Sequence, residues 1–102
     1  MAEFLTVGSA GDLREGQVRA FDVVGKQVAV ARADGTLYAF SDICTHRQCN
    51  LSASDLEATT IECECHGSVF DITSGAVLNG PATEPIDTYE VREEGGDLQV
   101  GV

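Results

Sequence analysis

The hydrophobic pattern of the chain is that of a β protein. Apolar residues fall into short runs rich in Val, Ile, Phe and Thr, separated by Gly and Asp, with little helical periodicity. Side chains tend to alternate between apolar and polar over 17–24 and again over 27–33. Asp34-Gly35 then offers a two-residue hairpin turn into 36–40. We therefore predict a three-stranded antiparallel meander in the N-terminal half.

The C-terminal end predicts a second hairpin. Segments 88–92 and 98–102 flank Gly95-Gly96, and two glycines readily adopt the positive φ angles of a tight turn. Only residues 9–15, with Ser9 as a candidate cap, are expected to form a short helical turn. At 102 residues the chain is expected to be one domain, in which the middle segment is inserted between β-rich ends that share one sheet system.

Charge and hydropathy exclude several classes of function. Acidic residues outnumber basic residues by 17 to 6, giving a formal net charge of -11, which disfavours binding to nucleic acid and favours basic protein partners, with solubility alone as the alternative reason for the charge. No run approaches the roughly 18 apolar residues of a membrane-spanning helix, so no membrane anchor is expected. The first residues do not resemble a secretory signal, and a cytoplasmic location is therefore expected.

The candidate chemistry is concentrated in the middle segment. Every Cys and every His lies in one of two short clusters, Cys44, His46 and Cys49, then Cys63, Cys65 and His66. Thiolates and imidazoles grouped in this way indicate a metal site. No nucleophile with a base, no nucleotide-binding glycine loop and no second metal site is visible, so the chain is not expected to be an enzyme by itself.

Two kinds of metal site fit these ligands. Two thiolates and two imidazoles could close a tetrahedral zinc site. Zinc modules, however, tend to take paired cysteines from one turn and paired histidines from another, whereas here each cluster supplies one of each. That mixed supply favours a two-iron, two-sulfur cluster, with Cys44 and Cys63 on one iron and His46 and His66 on the other.

The motif C-x-H, sixteen intervening residues, then C-x-x-H resembles the signature of the Rieske family. The resemblance continues through 63–71, the turn at 73–75 and the Gly80-Pro81-Ala82 loop. It implies an all-β fold: an antiparallel β-sandwich base, about 1–42 and 83–102, with a small inserted cluster-binding subdomain, about 43–82. It also implies one Rieske-type 2Fe-2S cluster as the cofactor.

The remaining residues of the two loops have roles implied by the same resemblance. In Rieske proteins of cytochrome bc complexes, cysteines placed like Cys49 and Cys65 form a disulfide, whereas many oxygenase-type ferredoxins lack both. The resemblance therefore implies a disulfide between Cys49 and Cys65, with two buried free thiols as the alternative. Ser68 is expected to donate a hydrogen bond to a bridging sulfide of the cluster. Phe70 stands where the Rieske proteins of cytochrome bc complexes have a tyrosine. Pro81 is expected in a lid over the cluster.

The chain thus resembles a soluble oxygenase-type ferredoxin with the extra cysteine pair of the respiratory branch. This implies one-electron transfer from a flavin-dependent reductase to a Rieske-type terminal oxygenase. Two alternatives stay open: a small, permanently bound Rieske subunit of a larger oxidoreductase, and a redox sensor. Glu64, Asp42 and Asp71, which lie in or beside the loops, are expected to be solvated and without a role.

Overall fold

The computed structural model describes residues 3–44, 49–54, 56–65, 67–80 and 82–101. Within these ranges the chain forms the following ten strands: β1 (Phe4–Ser9), β2 (Val18–Val23), β3 (Lys26–Ala33), β4 (Thr36–Ser41), β5 (Leu56–Glu57), β6 (Thr60–Glu62), β7 (Val69–Asp71), β8 (Val77–Asn79), β9 (Thr88–Glu94) and β10 (Asp97–Gly101). His46, His66 and Pro81 lie outside the described residues. The helical segments described are two three-residue 3-10 turns, so no helix there is long and apolar enough to cross a bilayer.

The strands form two antiparallel sheets. The larger has the order β1-β10-β9-β4-β3-β2, and the smaller has the order β5-β6-β7-β8. In the larger sheet β2 pairs with β3 and β3 with β4, which confirms the predicted meander. The strands β9 and β10 pair as the predicted C-terminal hairpin, and two residue pairs join β4 to β9. The prediction of an all-β, antiparallel fold is confirmed.

The two predicted turns have the backbone that their residues favour. Asp34 and Gly35 have φ values of 52° and 76°, and Gly95 and Gly96 have 60° and 85°. Positive φ at both central positions gives a turn whose twist matches that of the flanking strands, and Asp-Gly and Gly-Gly adopt it at low cost. These turns fix the register of both hairpins, with Ala33 opposite Thr36 and Glu94 opposite Asp97.

Strand β3 separates two apolar cores. Val28 and Val30 belong to a cluster with Leu98 and Val100 of β10, between the two halves of the larger sheet. Ala29 and Ala31 point the other way, because successive side chains of a strand face opposite sides of the sheet. They join a second cluster that contains both Cys44 and Cys63 together with residues of the smaller sheet. The larger sheet is therefore a base on which the cysteine loops pack.

Several elements differ from the predictions or were not predicted. The strand β1 pairs with β10, but its sequence shows weak alternation. The strands β5 to β8 are two or three residues long, which is too short for a periodic pattern to be recognised. The predicted helical turn at 9–15 is a 3-10 turn over Ala10–Asp12; Ser9 is at its N-cap but makes no side-chain capping bond.

Candidate metal centre

The first cysteine loop begins where β4 ends. Ile43 pairs with Asn50 as an isolated antiparallel bridge, and the Cys44 N–H donates to the Cys49 carbonyl oxygen at 3.0 Å. These two contacts close the loop and place the two cysteines side by side at its base. His46 lies in the segment 45–48 between them, outside the described residues.

The second cysteine loop connects β6 to β7. The Cys63 N–H donates to the Ser68 carbonyl oxygen at 2.7 Å, and the Gly67 N–H donates to the Cys63 carbonyl oxygen at 2.9 Å. Gly67 has φ of 79°, a value that favours glycine and that allows the chain to turn back at this point. His66 precedes this glycine and lies outside the described residues.

A disulfide between Cys49 and Cys65 joins the two loops, with 6.5 Å between the Cα atoms. The sulfurs of Cys49, Cys63 and Cys65 all lie within 4.8 Å of one another. Cys44 and Cys63 stay outside the disulfide and are 2% and 1% exposed. The structure therefore brings two buried thiols from separate loops into one apolar cluster, beside a covalent link between those loops.

Ser68 and Phe70 are both fully buried next to the second loop. The Ala82 N–H donates to the Ser68 Oγ at 3.0 Å, which ties this loop to the segment that contains Pro81. Because the hydroxyl accepts this bond, its own proton remains able to donate to a further acceptor. The Phe70 ring packs in the apolar cluster that contains Cys44 and Cys63.

The expectation for Asp42 is wrong, because this residue is fully buried. Its carboxylate accepts bonds from Asn50 and Ser52, on the far side of the first loop. The sequence contains no motif that relates Asp42 to positions eight and ten residues later, so this network could not be recognised from it. Glu64 is exposed, as expected.

Asp71 is partly exposed, and it caps the turn after β7 rather than standing alone in solvent. The Thr73 hydroxyl donates to the Asp71 Oδ1 at 2.6 Å, and the Thr73 N–H donates to the same oxygen at 2.8 Å. These donors, the hydroxyl first, hold the pKa of Asp71 below its ordinary value of 3.8.

An open cleft of about 360 Å³ lies beside the second loop, and it is lined by Ser54, Glu57, Thr60, Glu62, Glu64 and Val69. Three of these six residues are glutamates, so the surface next to the cysteines carries the same sign of charge as the whole chain. Such a surface attracts basic groups and repels anions.

The described residues fit a two-iron, two-sulfur cluster. The candidate thiolate ligands are shielded from water, the loops that carry them are fixed to each other, and Ser68 offers a buried hydroxyl that can still donate. Soft thiolates combined with imidazoles are the donor set of such clusters.

Comparisons with known proteins agree with this geometry. A family model described as "Rieske [2Fe-2S] domain" matches residues 3–90. The ferredoxin component of the naphthalene 1,2-dioxygenase system of Pseudomonas aeruginosa is 38% identical over 89 residues, covering 87% of this chain and 86% of that protein.

Two solved structures have the same architecture. A ferredoxin of Sphingomonas yanoikuyae B1 superposes with a TM-score of 0.91 at 30% identity, covering 98% of this chain and 99% of that one. A chain from a complex of reduced oxygenase and oxidized ferredoxin in carbazole 1,9a-dioxygenase gives a TM-score of 0.88 at 35% identity. The match covers 94% of this chain and 99% of that one.

Proposed function

Because this chain belongs to the Rieske [2Fe-2S] domain family, we propose that it binds one two-iron, two-sulfur cluster through Cys44, His46, Cys63 and His66. The observation that carries the proposal is the pairing of two buried thiols on two loops that one disulfide holds together. Each loop also supplies one histidine in the sequence, at the spacing of the family motif. When bound, the cluster takes up and releases a single electron.

The choice of ligands favours uptake of an electron. Two ferric ions, two sulfides and two thiolates sum to zero charge when the other two ligands are neutral imidazoles, whereas four thiolates would leave a charge of minus two. A neutral site accepts an electron more readily, which raises the reduction potential above that of clusters with four cysteine ligands. Burial of Cys44 and Cys63 would keep water from the thiolates, and we propose that the buried Ser68 hydroxyl tunes the potential by a hydrogen bond.

The chain carries electrons for an oxidoreductase system and is not itself a catalyst. We propose that it accepts electrons from a flavin-dependent reductase and delivers them to a Rieske-type terminal oxygenase in the cytoplasm. Its relatives are named as ferredoxin components of dioxygenase systems, and one similar structure is a complex of a ferredoxin with its oxygenase. The acidic surface beside the second loop favours a basic docking face on the partner.

We further propose that the chain divides into a base, about 1–42 and 83–102, and a cluster-binding subdomain, about 43–82. The strands of the smaller sheet and both cysteine loops fall within the second range. The strands of the larger sheet fall within the first.

The ligand assignment is tested by replacing each proposed ligand and measuring iron per chain. We expect Cys44→Ser, His46→Ala, Cys63→Ser and His66→Ala each to lose most of the iron, because each removes one iron–protein bond. The matched control is the double variant C49S/C65S, which removes two cysteines of the same loops and is expected to retain iron. Full iron content in any ligand variant would contradict the assignment of that residue.

The carrier role is tested by the size of the native species. A mobile carrier of 10.8 kDa should elute from a gel-filtration column as a small protein when a fresh lysate is probed with an antibody to the chain. It should also be reduced by a flavoprotein reductase and NADH, and reoxidised by an oxygenase that binds it. Elution only within a large complex would show instead that the chain is a bound subunit.

A further inference from the structure

The buried carboxylate of Asp42 lies at the base of the first cysteine loop. Asp42 follows the last residue of β4 and precedes Cys44 by two positions, and it has no exposed surface. Burying a carboxylate is costly unless its oxygens are hydrogen-bonded. Its partners therefore indicate what this residue does in the fold.

Three donors from the opposite end of the loop point at this carboxylate. The Ser52 N–H donates to Oδ1 at 2.6 Å, the Asn50 Nδ2 donates to Oδ2 at 2.7 Å, and the Ser52 hydroxyl donates to Oδ2 at 3.0 Å. In addition, the Leu51 N–H donates to the Asp42 carbonyl oxygen at 2.7 Å. One residue at the entry of the loop thus holds three consecutive residues at its exit.

The same network attaches the loop to the base. The Asp42 N–H donates to the Gln27 carbonyl oxygen of β3 at 3.0 Å. The Asn50 side-chain amide, which donates to Asp42, also donates to the Gln27 Oε1 at 2.9 Å. The loop is therefore fixed both to itself and to a central strand of the larger sheet.

We propose that Asp42 is a positioning residue for the metal centre: its carboxylate sets the distance between the two ends of the first loop, and thereby the placement of Cys44. Cys44 and Cys49 lie just inside the closed end, joined by the bond from the Cys44 N–H to the Cys49 carbonyl. The link to the metal centre rests on the proposed cluster; the link to the loop geometry does not.

The change Asp42→Asn is nearly isosteric and tests this role. The amide offers one acceptor oxygen where the carboxylate offers two, so at least one of the three donors loses its acceptor inside the protein. We expect release of iron to a chelator to become about tenfold faster, because a lost bond to a buried charged group is worth about that factor. The electron paramagnetic resonance spectrum of the reduced protein should also change its g values.

Two further variants serve as controls, and a third tests the same role by a milder change. Glu90→Gln removes an exposed charge on β9, away from both cysteine loops, and should leave both readouts unchanged. Val30→Ala destabilises the base from the other side of β3 and should leave the g values unchanged, so that general destabilisation is distinguished from a change at the cluster. Ser52→Ala keeps the Asp42 carboxylate but removes one of its donors, so it should change iron release and g values in the same direction as D42N but by less. It provides the test if D42N does not fold.

Hydrogen exchange of the metal-free protein separates this proposal from that of the cluster itself. Faster exchange at the amides of Cys44, Leu51 and Ser52 in D42N, with β9 and β10 unchanged, would support the role of Asp42 even if the wild-type chain bound no cluster. The proposal would be overturned if D42N and S52A both released iron to the chelator, exchanged their amides and gave g values as the wild-type protein does.

Discussion

The larger sheet and the segment 43–82, which we propose as the base and the cluster-binding subdomain, are held together in different ways. In the base, β2 and β4 each pair with β3 over six residues, and alternate side chains of β3 fill two cores. In the subdomain, the strands are two or three residues long. Besides the apolar cluster that contains Phe70 and Ile72, order there comes from a disulfide, a hydrogen bond to the buried Ser68 and a close backbone contact at Gly75. Substitutions at these particular contacts of the subdomain should therefore have large local effects, whereas substitutions on the face of β3 that points away from the cysteines should lower stability alone.

The largest effect is expected at Gly75, where the turn after β7 meets the base. A Cβ at Gly75 would collide with the Ile86 carbonyl oxygen, and the residue has φ of 81°. We expect Gly75→Ala to lower the free energy of unfolding by about 4 kcal/mol, since left-handed strain and overpacking add. Thermal unfolding followed by circular dichroism measures this.

Gly25 is the matched control for this prediction. Its φ is 80°, but nothing lies within 4 Å of the position that a Cβ would take. Gly25→Ala should therefore cost only about 1 kcal/mol, from backbone strain alone. Equal losses in the two variants would show that the contact between the turn and Ile86 does not matter.

The disulfide is expected to have the next largest effect. Cys49 and Cys65 are 16 residues apart, so their bond restricts the unfolded chain and the double variant C49S/C65S should lose about 3 kcal/mol. Addition of a reductant should lower the free energy of unfolding of the wild-type protein to nearly that of the variant, and should leave that of the variant unchanged. A variant as stable as the oxidised wild type would mean that the bonds at the bases of the two loops are sufficient.

A core substitution in the base should affect stability without affecting the site. Val30 is fully buried against Leu98 and Val100, on the face of β3 that points away from the cysteines. Val30→Ala should cost about 2 kcal/mol, because it removes two buried methyl groups and leaves a cavity. The visible spectrum of the iron-loaded protein should stay that of the wild type. A changed spectrum would show that the two cores are not independent.

The smallest effect is expected at Asp71. Hydrogen bonds from Thr73 lower its pKa below 3.8 in the folded protein, so the stabilisation is complete above that pH and is lost as the pH falls through the lowered pKa. Asp71→Asn should cost under about 1 kcal/mol at neutral pH, because solvent screens this surface turn. Urea unfolding should show the difference shrinking below about pH 4. A difference that grows on acidification would contradict this sign.

The two regions also differ in how far the sequence predicts them. Asp34-Gly35 and Gly95-Gly96 are local turn signals, and the meander and the hairpin that they connect are confirmed. The short strands β5 to β8 give no such signal, because each is only two or three residues long. Asp42 is the clearest example: its neighbours in sequence suggest a solvated residue, and only the fold brings Ser52 to it.

The family motif predicted more of the centre than local patterns could. The disulfide partners were identified through resemblance, and the structure contains the bond between Cys49 and Cys65. Ser68 is buried, while its role as a donor to the cluster stays a prediction. The assignment of Cys44, His46, Cys63 and His66 as ligands stays a prediction, as does the role of Pro81 in a lid. Residues 46, 66 and 81 lie outside the described part of the chain.

The most direct test of the central claim is the electron paramagnetic resonance spectrum of the dithionite-reduced protein, with iron, acid-labile sulfide and zinc determined on the same sample. We predict two irons and two sulfides per chain, and the spectrum of a two-iron cluster with histidine ligands. Stoichiometric zinc without a paramagnetic signal would show that the two loops hold a structural metal, and would contradict the electron-carrier function.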